Sequence, residues 1–311
     1  MKKFFWLSAL LTSAVLTACG QQTKSKVLLP GTNTLLWKIS GKNLSKPSYI
    51  FGTMHLLCGD DITLSDSLKQ AIAASDNVYL ELEMDNMLEM MGAMQHMNMK
   101  GDTTLADLLT KKQYEKVKNY FSEHSSMLPF SMLETFKPML AASMIAEQQS
   151  KTTCDNMVAM EQLIMGEAKK TNKKIKGLET MNFQLAIFDK IPYKFQAEQL
   201  YEMIAQTSDS TDSNEMIALT NAYRNQQLEK LEEMIIKGDV GIKNFAEILL
   251  YNRNTAWTKK LQEILPGKSL VVAVGAGHLP GKRGVLNLLK EAGYKIEPVR
   301  NDMVKKRVKE I

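Results

Sequence analysis

Histidine is scarce in this chain, with four residues in 311: His55, His96, His124 and His278. Cysteine is scarcer still, with three, and no C-x-x-C-H run offers covalent haem attachment. Two of those cysteines, Cys58 and Cys154, lie too far apart to suggest a zinc site. Beyond the first residues no apolar run is long enough to cross a bilayer. No basic cluster interleaved with aromatics is present, and the net charge is only +5, which argues against nucleic acid as a partner. No internal repeat stands out. Hydrophobic residues nevertheless make up 44%, ample for a real core, so global disorder is excluded.

The start reads as a targeting segment. Lys2 and Lys3 precede a short apolar core, "FFWLSALLTSAVL", which ends in "LTAC" at Cys19. Such a core is too short for an ordinary transmembrane helix and reads as a secretory signal. The small residue before Cys19 resembles the bacterial lipoprotein signal, which implies lipidation of that cysteine as the new N-terminus. Residues 1–18 are then a signal peptide, 19–33 a polar tether, and 34–311 one folded domain. Removal of Lys2 and Lys3 takes the charge from +5 to +3. These readings place the protein in the extracytoplasmic envelope, on the outer membrane if the cell has one. There, Cys58 and Cys154 are expected to form a disulfide, the alternative being two partly buried thiols.

Within the domain, "TLLWKIS" and "PSYIFGT" flank a turn-rich "GKNLSK" and suggest a β-hairpin. Ser65 is placed to cap a helix over "LSDSLKQAIAAS". "NVYLELE" (77–83) alternates, with Tyr79, Glu81 and Glu83 on one side of a strand. "KKIKGLE" and "SLVVAVGAGH" read as further strands. "RGVLNLLKEAG" reads as a helix stopped by Gly293, and "YKIEPVR" as an edge strand. Helical periodicity dominates 104–124, 137–150, 156–171, 181–238 and 241–265, with "TSDSTDSN" as a polar interruption. The expected fold is α/β: a central mixed β-sheet flanked by helices, with a large helical insertion.

Two of the four histidines share one context, an apolar strand followed by G-x-x-H: Gly52 to His55 and Gly275 to His278. Ligands of α/β sheets bind beyond the carboxyl ends of the strands. Were these strands neighbours, His55, His278 and Glu81 or Glu83 would converge. Two imidazoles and a carboxylate suit a divalent metal; without metal they suit general-base catalysis. The bland alternative is that each histidine caps its strand. His124 reads as a helix end. His96 lies in "MDNMLEMMGAMQHMNMK", with seven methionines from Met84 to Met99. That segment reads as a flexible amphipathic helix lying over the pocket as an adaptable apolar lid, suited to peptides, rather than as a copper(I) site.

Taken together, "LWKISGKNLSKPSYIFGTMHLL", "AIAASDNVYLELE", "KIKGLETMNFQLAIF", "LLYNRNTAW" and "SLVVAVGAGHLPGKRGVLNLLKEAGYKIEPV" resemble the TraB/GumN family, related to the TIKI proteases. The resemblance implies a fold shared with erythromycin-esterase-like and ChaN-like proteins. It implies a site of His55, His278 and Glu81, with Glu83 as extra ligand or base. Glu179, Arg253 and Asn254, and the motif glycines Gly52 and Gly275, would support it. It further implies a metal-dependent hydrolase acting on peptides, with manganese or cobalt favoured over zinc. The alternative is a lipoprotein that binds haem, iron, a peptide or another small molecule without turnover. Oligomeric state is not readable.

Overall fold

The computed structural model describes residues 33–60, 62–124, 128–154, 156–206, 210–237 and 242–304. The signal segment, Cys19 and all but the last residue of the tether lie outside the described residues. No helix among the described residues is long and apolar enough to cross a membrane.

Two strands, β1 (Leu36–Ser40) and β2 (Ser48–Thr53), form the antiparallel hairpin, with Leu36 opposite Phe51. Its turn needs left-handed backbone at Gly41, Lys42 and Asn43, with φ of 77, 43 and 62°. A short β3 (Leu57–Cys58) follows, then α1 (Asp66–Ala74) and β4 (Asn77–Leu80). Ser65 caps α1, its side chain accepting from the Leu68 N–H. The helical part contains α2 (Met87–Ala93), α3 (Leu105–Leu108), α4 (Lys111–Glu123), α5 (Phe130–Leu133) and α6 (Pro138–Thr153). Next come β5 (Met157–Val158), α7 (Met160–Lys170) and β6 (Lys174–Gly177). A helical stretch follows: α8 (Met181–Phe188), α9 (Tyr193–Gln206), α10 (Ser210–Arg224), α11 (Leu228–Lys237), α12 (Ile242–Ala246) and α13 (Asn252–Ile264). Then β7 (Leu270–Gly275), α14 (Val285–Glu291) and β8 (Lys295–Val299) complete the sheet.

Six strands form a mixed sheet in the order β6-β4-β7-β2-β1-β8. Pairing of β7 with β2 and β4 is parallel, as is that of β4 with β6. The consequence for function is direct, because β4, β7 and β2 are neighbours and their carboxyl ends lie side by side. Residues 270–274 of β7 are wholly buried, as a central parallel strand covered on both faces requires. At the far edge β8 pairs only with β1, the edge position expected for it. Helices α3 to α6 and α9 share a second core around Leu105, Val117, Leu133, Ile145 and Leu200, which is the helical insertion.

Several boundaries differ from those read in the sequence. The alternation of 77–83 stops being a strand at Leu80, so Glu81 lies just past the strand end and Glu83 in the turn beyond it. Residues 157–158 leave the helical pattern to pair with β3. The stretch 104–124 splits at Thr110, where a capping box with Gln113 starts a new helix. Pro192 separates α8 from α9, since the residue before a proline is driven out of helical geometry. Helix α10 begins at Ser210, inside the stretch read as a polar loop. Cys58 and Cys154 are bridged, with Cα atoms 5.8 Å apart, tying β3 to the end of α6.

Candidate active site

Both motif glycines are needed for close approach rather than for left-handed backbone. A Cβ on Gly52 would sit 3.1 Å from the Cα of Ala276, so the loop after β7 packs on the bare backbone of β2. A Cβ on Gly275 would lie 3.3 Å from Glu81 Oε1. That room is used: the Gly275 N–H donates to Glu81 Oε1 at 2.8 Å. Neither glycine has positive φ.

His278 ends a turn of 3-10 helix (Ala276–His278) directly after β7 and is 5% exposed. Its tautomer follows from its neighbour. Asn254 Nδ2 donates to the Arg283 carbonyl at 2.8 Å, which fixes the amide and turns Oδ1 toward His278 Nδ1, 2.6 Å away. The proton therefore sits on Nδ1, and Nε2 keeps its lone pair. Arg253 Nη1 donates to that Nε2 at 3.2 Å. Burial drives the imidazole pKa down to about 4; the positive charges of Arg253 and His55 add to this, and Glu81 opposes it. His278 is neutral at pH 7.

Glu81 and Glu179 stand side by side because the β4–β6 ladder continues past both strands, with the Glu179 N–H donating to the Glu81 carbonyl at 3.0 Å. Arg253 joins them, with Nη2 lying 2.6 Å from Glu81 Oε2 and 2.5 Å from Glu179 Oε1. Gln184 of α8 donates to both carboxylates, and the Trp257 indole donates to Glu179 at 2.9 Å. Burial raises the Glu81 pKa, but His278, Arg253 and the Gly275 N–H outweigh it and bring it to about 2. One turn of α13 thus supplies Arg253, Asn254 and Trp257, and the Trp257 ring lies 4.5 Å from the His278 ring between centroids. A π-helical turn, Glu247–Tyr251, precedes them, and Arg253 Nη1 also donates to the Leu249 carbonyl within it.

His55 stands at the exposed side of this centre, in the bend after β2. Its Nδ1 lies 3.1 Å from Glu161 Oε1, in the first turn of α7. The bond to Glu161 raises the His55 pKa against the partial loss of water around the ring; Glu81 adds to the rise and Arg253 opposes it. Glu161 is buried, which favours its neutral form, yet His55 brings its pKa below the usual value. Its Oε2 and the Thr53 hydroxyl are buried and make no hydrogen bond of full geometry among the described residues, although the hydroxyl lies close enough to the acid to help lower its pKa.

Of the residues singled out in the sequence, Glu81, His278, Glu179, Arg253 and Asn254 form one bonded network, with Gly52 and Gly275 making room for it. His55 is electrostatically coupled to that network but bonded elsewhere. Glu83 is not bonded into it: with β4 ending at Leu80, Glu83 stands in the turn beyond and lines an open groove with lysines. Glu161, Gln184 and Trp257 were not singled out. The Trp lies inside the quoted "LLYNRNTAW", and Gln184 inside "GLETMNFQ", but Glu161 carries no local signal. His124 caps α4, bonded to the Tyr120 carbonyl, and His96 is exposed.

The donor set can be tested against a divalent cation. Metal-bound histidines characteristically donate the other ring N–H to a carboxylate or carbonyl, as Nδ1 of His55 does toward Glu161 and Nδ1 of His278 toward Asn254. Glu81 is ionised, and a buried carboxylate oxygen of Glu161 lacks a hydrogen bond of full geometry. In donor type and protonation these residues fit, with the lone pair of His278 Nε2 here accepting from Arg253. Their ligating atoms are not gathered, however. Among the described residues, the one trio that brings such atoms within 4.8 Å of one another is Cys58, Asp60 and Cys154, and its two sulfurs are in the disulfide.

An α/β protein with a charged, partly buried polar centre at the carboxyl ends of adjacent parallel strands is the class defined so far. The chain belongs to the TraB/PrgY/gumN family, whose pattern matches residues 35–298. It is similar to "Metalloprotease TIKI2" of Danio rerio, 23% identical over 318 residues, covering 85% of this chain and 61% of that one. A "Metalloprotease TIKI homolog" of Nematostella vectensis is 22% identical, covering 86% of this chain and 67% of that one. "Uncharacterized protein YbaP" of Shigella flexneri is 21% identical over 79% of this chain and 89% of its own. The chain thus spans less than two thirds of the Danio rerio protein's length. No solved structure matches.

Proposed function

We propose that this protein is a metal-dependent hydrolase acting on peptides, anchored by lipid on Cys19 at the extracytoplasmic face of a membrane. The observation that carries the chemistry is the pair of histidines at neighbouring strand ends, each with Nδ1 held by an acceptor, flanking an ionised Glu81. The metalloprotease relatives support the reaction class.

His55, His278 and Glu81 would hold the metal, with manganese or cobalt the proposed ions. A bound divalent ion supplies an activated water and polarises a carbonyl. Asn254 keeps the His278 proton on Nδ1 at all pH values above the depressed pKa. Arg253 and Gln184 fix the Glu81 carboxylate, and Arg253 neutralises part of the charge that Glu81 and Glu179 place together. Trp257 packs against His278 and limits water at its ring. His55, facing solvent, is the group a substrate meets first.

The test is metal analysis of purified protein, followed by a peptide-library cleavage assay with manganese, cobalt or zinc after chelation. Metal-restored cleavage, lost in Glu81→Gln and His278→Ala, is expected. Cleavage indifferent to chelator would remove the metal from this reading. Tight peptide or iron binding with no turnover would replace it with the binding-protein alternative.

A further inference from the structure

Helix α2 is built the wrong way round for a packing helix. It buries only Ala93 and turns Met87, Leu88 and Met91 outward, with Leu88 83% and Met87 67% exposed. Exposed apolar groups gathered on one face mark an interaction site rather than a core. Beside this face runs an open groove of about 640 Å³, lined by Met87, Leu88, Lys169, Lys173, Lys174 and Lys176 among others. Only Glu83 and Asp85 oppose those four lysines along the groove, and none of the four makes an ion pair with a described residue. One wall is β6, the outermost strand of the sheet, so one edge of its backbone is left without a partner strand.

We propose that this groove and the outer face of α2 form a docking surface for an extended polypeptide whose apolar side chains are interspersed with Asp or Glu. The proposal rests on the peptide-hydrolase reading and names the substrate chemistry for that site. Charge selects the occupant. Lysines beside an open strand edge repel a basic strand and favour an acidic one over a neutral one. The apolar side is furnished mainly by methionines, whose flexible thioethers repack around varied side chains. The unpaired edge of β6 offers backbone groups that an extended chain can meet and a lipid headgroup cannot pair in register.

Continuity with the catalytic centre supports the assignment. The end of β6 packs so tightly on the turn holding Glu81 and Glu83 that a Cβ on Gly177 would lie 2.8 Å from the Glu83 nitrogen and 2.7 Å from the Glu179 carbonyl oxygen. Glu89 of α2 accepts from the Met181 N–H at 2.7 Å, at the start of α8. Gln184 of that same α8 holds Glu81 and Glu179. A segment seated in the groove therefore ends against the turn that carries the catalytic carboxylate.

The test is fluorescence anisotropy on the full chain carrying Glu81→Gln, which removes turnover. The probes are a labelled peptide alternating Leu with Asp and Glu, and its counterpart with Lys in place of the acids. The acidic peptide is expected to bind at least tenfold more tightly, with the preference shrinking as salt rises. Leu88→Asp, and separately Lys173→Glu with Lys176→Glu, should each weaken it about tenfold while circular dichroism stays unchanged. Equal affinity for the two peptides, or indifference to both variants, overturns the proposal. So does vesicle binding (phosphatidylglycerol with phosphatidylethanolamine) that the variants abolish while peptide affinity stays intact, which would make the surface a lipid contact. Cleavage is read separately with otherwise wild-type chains. Cleavage untouched by the groove variants removes the docking surface and keeps the hydrolase; acidic-peptide binding without cleavage does the reverse.

Discussion

His55 Nδ1 lies 3.1 Å from Glu161 Oε1, although one follows β2 and the other opens α7. The contact exists because β3 pairs with β5 and the Met160 N–H donates to the Met54 carbonyl at 3.2 Å, clamping the two segments together. Glu161→Gln should keep an oxygen in reach of the ring but remove the charge that favours imidazolium. The His55 pKa, followed by NMR titration, is expected to fall toward its ordinary value. Glu161→Ala should lower metal affinity or activity about 10- to 100-fold, the usual cost of losing such a supporting acceptor. An unchanged His55 titration would show that Glu161 does not set its protonation.

The Cys58–Cys154 bridge closes the same region from the other side, since Cys58 is in β3 and Cys154 ends α6. Cys58→Ser with Cys154→Ser should destabilise the fold by about 2–5 kcal/mol. Activity should fall further than stability explains, because β3 leads directly from His55. Thermal melts and activity assays with and without reductant compare the two effects. A variant with lowered Tm but full activity at 25 °C would detach the bridge from the site.

Strands, and the places where they end, were legible because buried parallel strands write long apolar runs and their exits are marked by glycine. Hence the hairpin, β7, the edge strand β8 and the Ser65 cap could be read directly. The fate of Glu83 could not, because alternation continues in the sequence where the backbone has already turned at Leu80. Glu161 was hidden for a different reason. It sits in an ordinary amphipathic helical pattern, and only the β3–β5 pairing, two residues on each side, brings it to His55. The outward face of α2 was also misleading to periodicity, which reports a stripe but not whether anything covers it.

Protonation of the buried centre sets a pH dependence whose sign can be worked out. The His278 pKa is depressed to about 4 from 6.5, so the unfolded chain binds this proton first as pH falls. Its contribution is fully present above pH 6.5 and is lost between there and about 4. Glu81, lowered from 4.5 to about 2, contributes above pH 4.5 and loses it on further acidification toward 2. Tm should therefore drop in two stages, and His278→Gln should flatten the first. The His278 stage is worth on the order of 3 kcal/mol. A Tm independent of pH between 7 and 4 would contradict a neutral buried His278.

Arg253 is the hub of the cluster, since one guanidinium serves Glu81, Glu179, the Leu249 carbonyl and His278 Nε2. Removing it leaves two adjacent, largely buried carboxylates without their cation. Arg253→Ala is expected to destabilise by about 3–5 kcal/mol, as breaking a buried pair from one side does. Arg253→Lys keeps the charge but not the planar fork, so it should recover part of the stability and little of the activity. The decisive measurement is a double-mutant cycle by urea denaturation. Glu81→Gln in the Arg253→Ala background relieves the unpaired charge, so the combined loss should be smaller than the sum of the single losses, by about 1–3 kcal/mol. Strict additivity would mean that Arg253 and Glu81 do not interact in solution. The carboxylate would then be held by Gly275 and Gln184 alone.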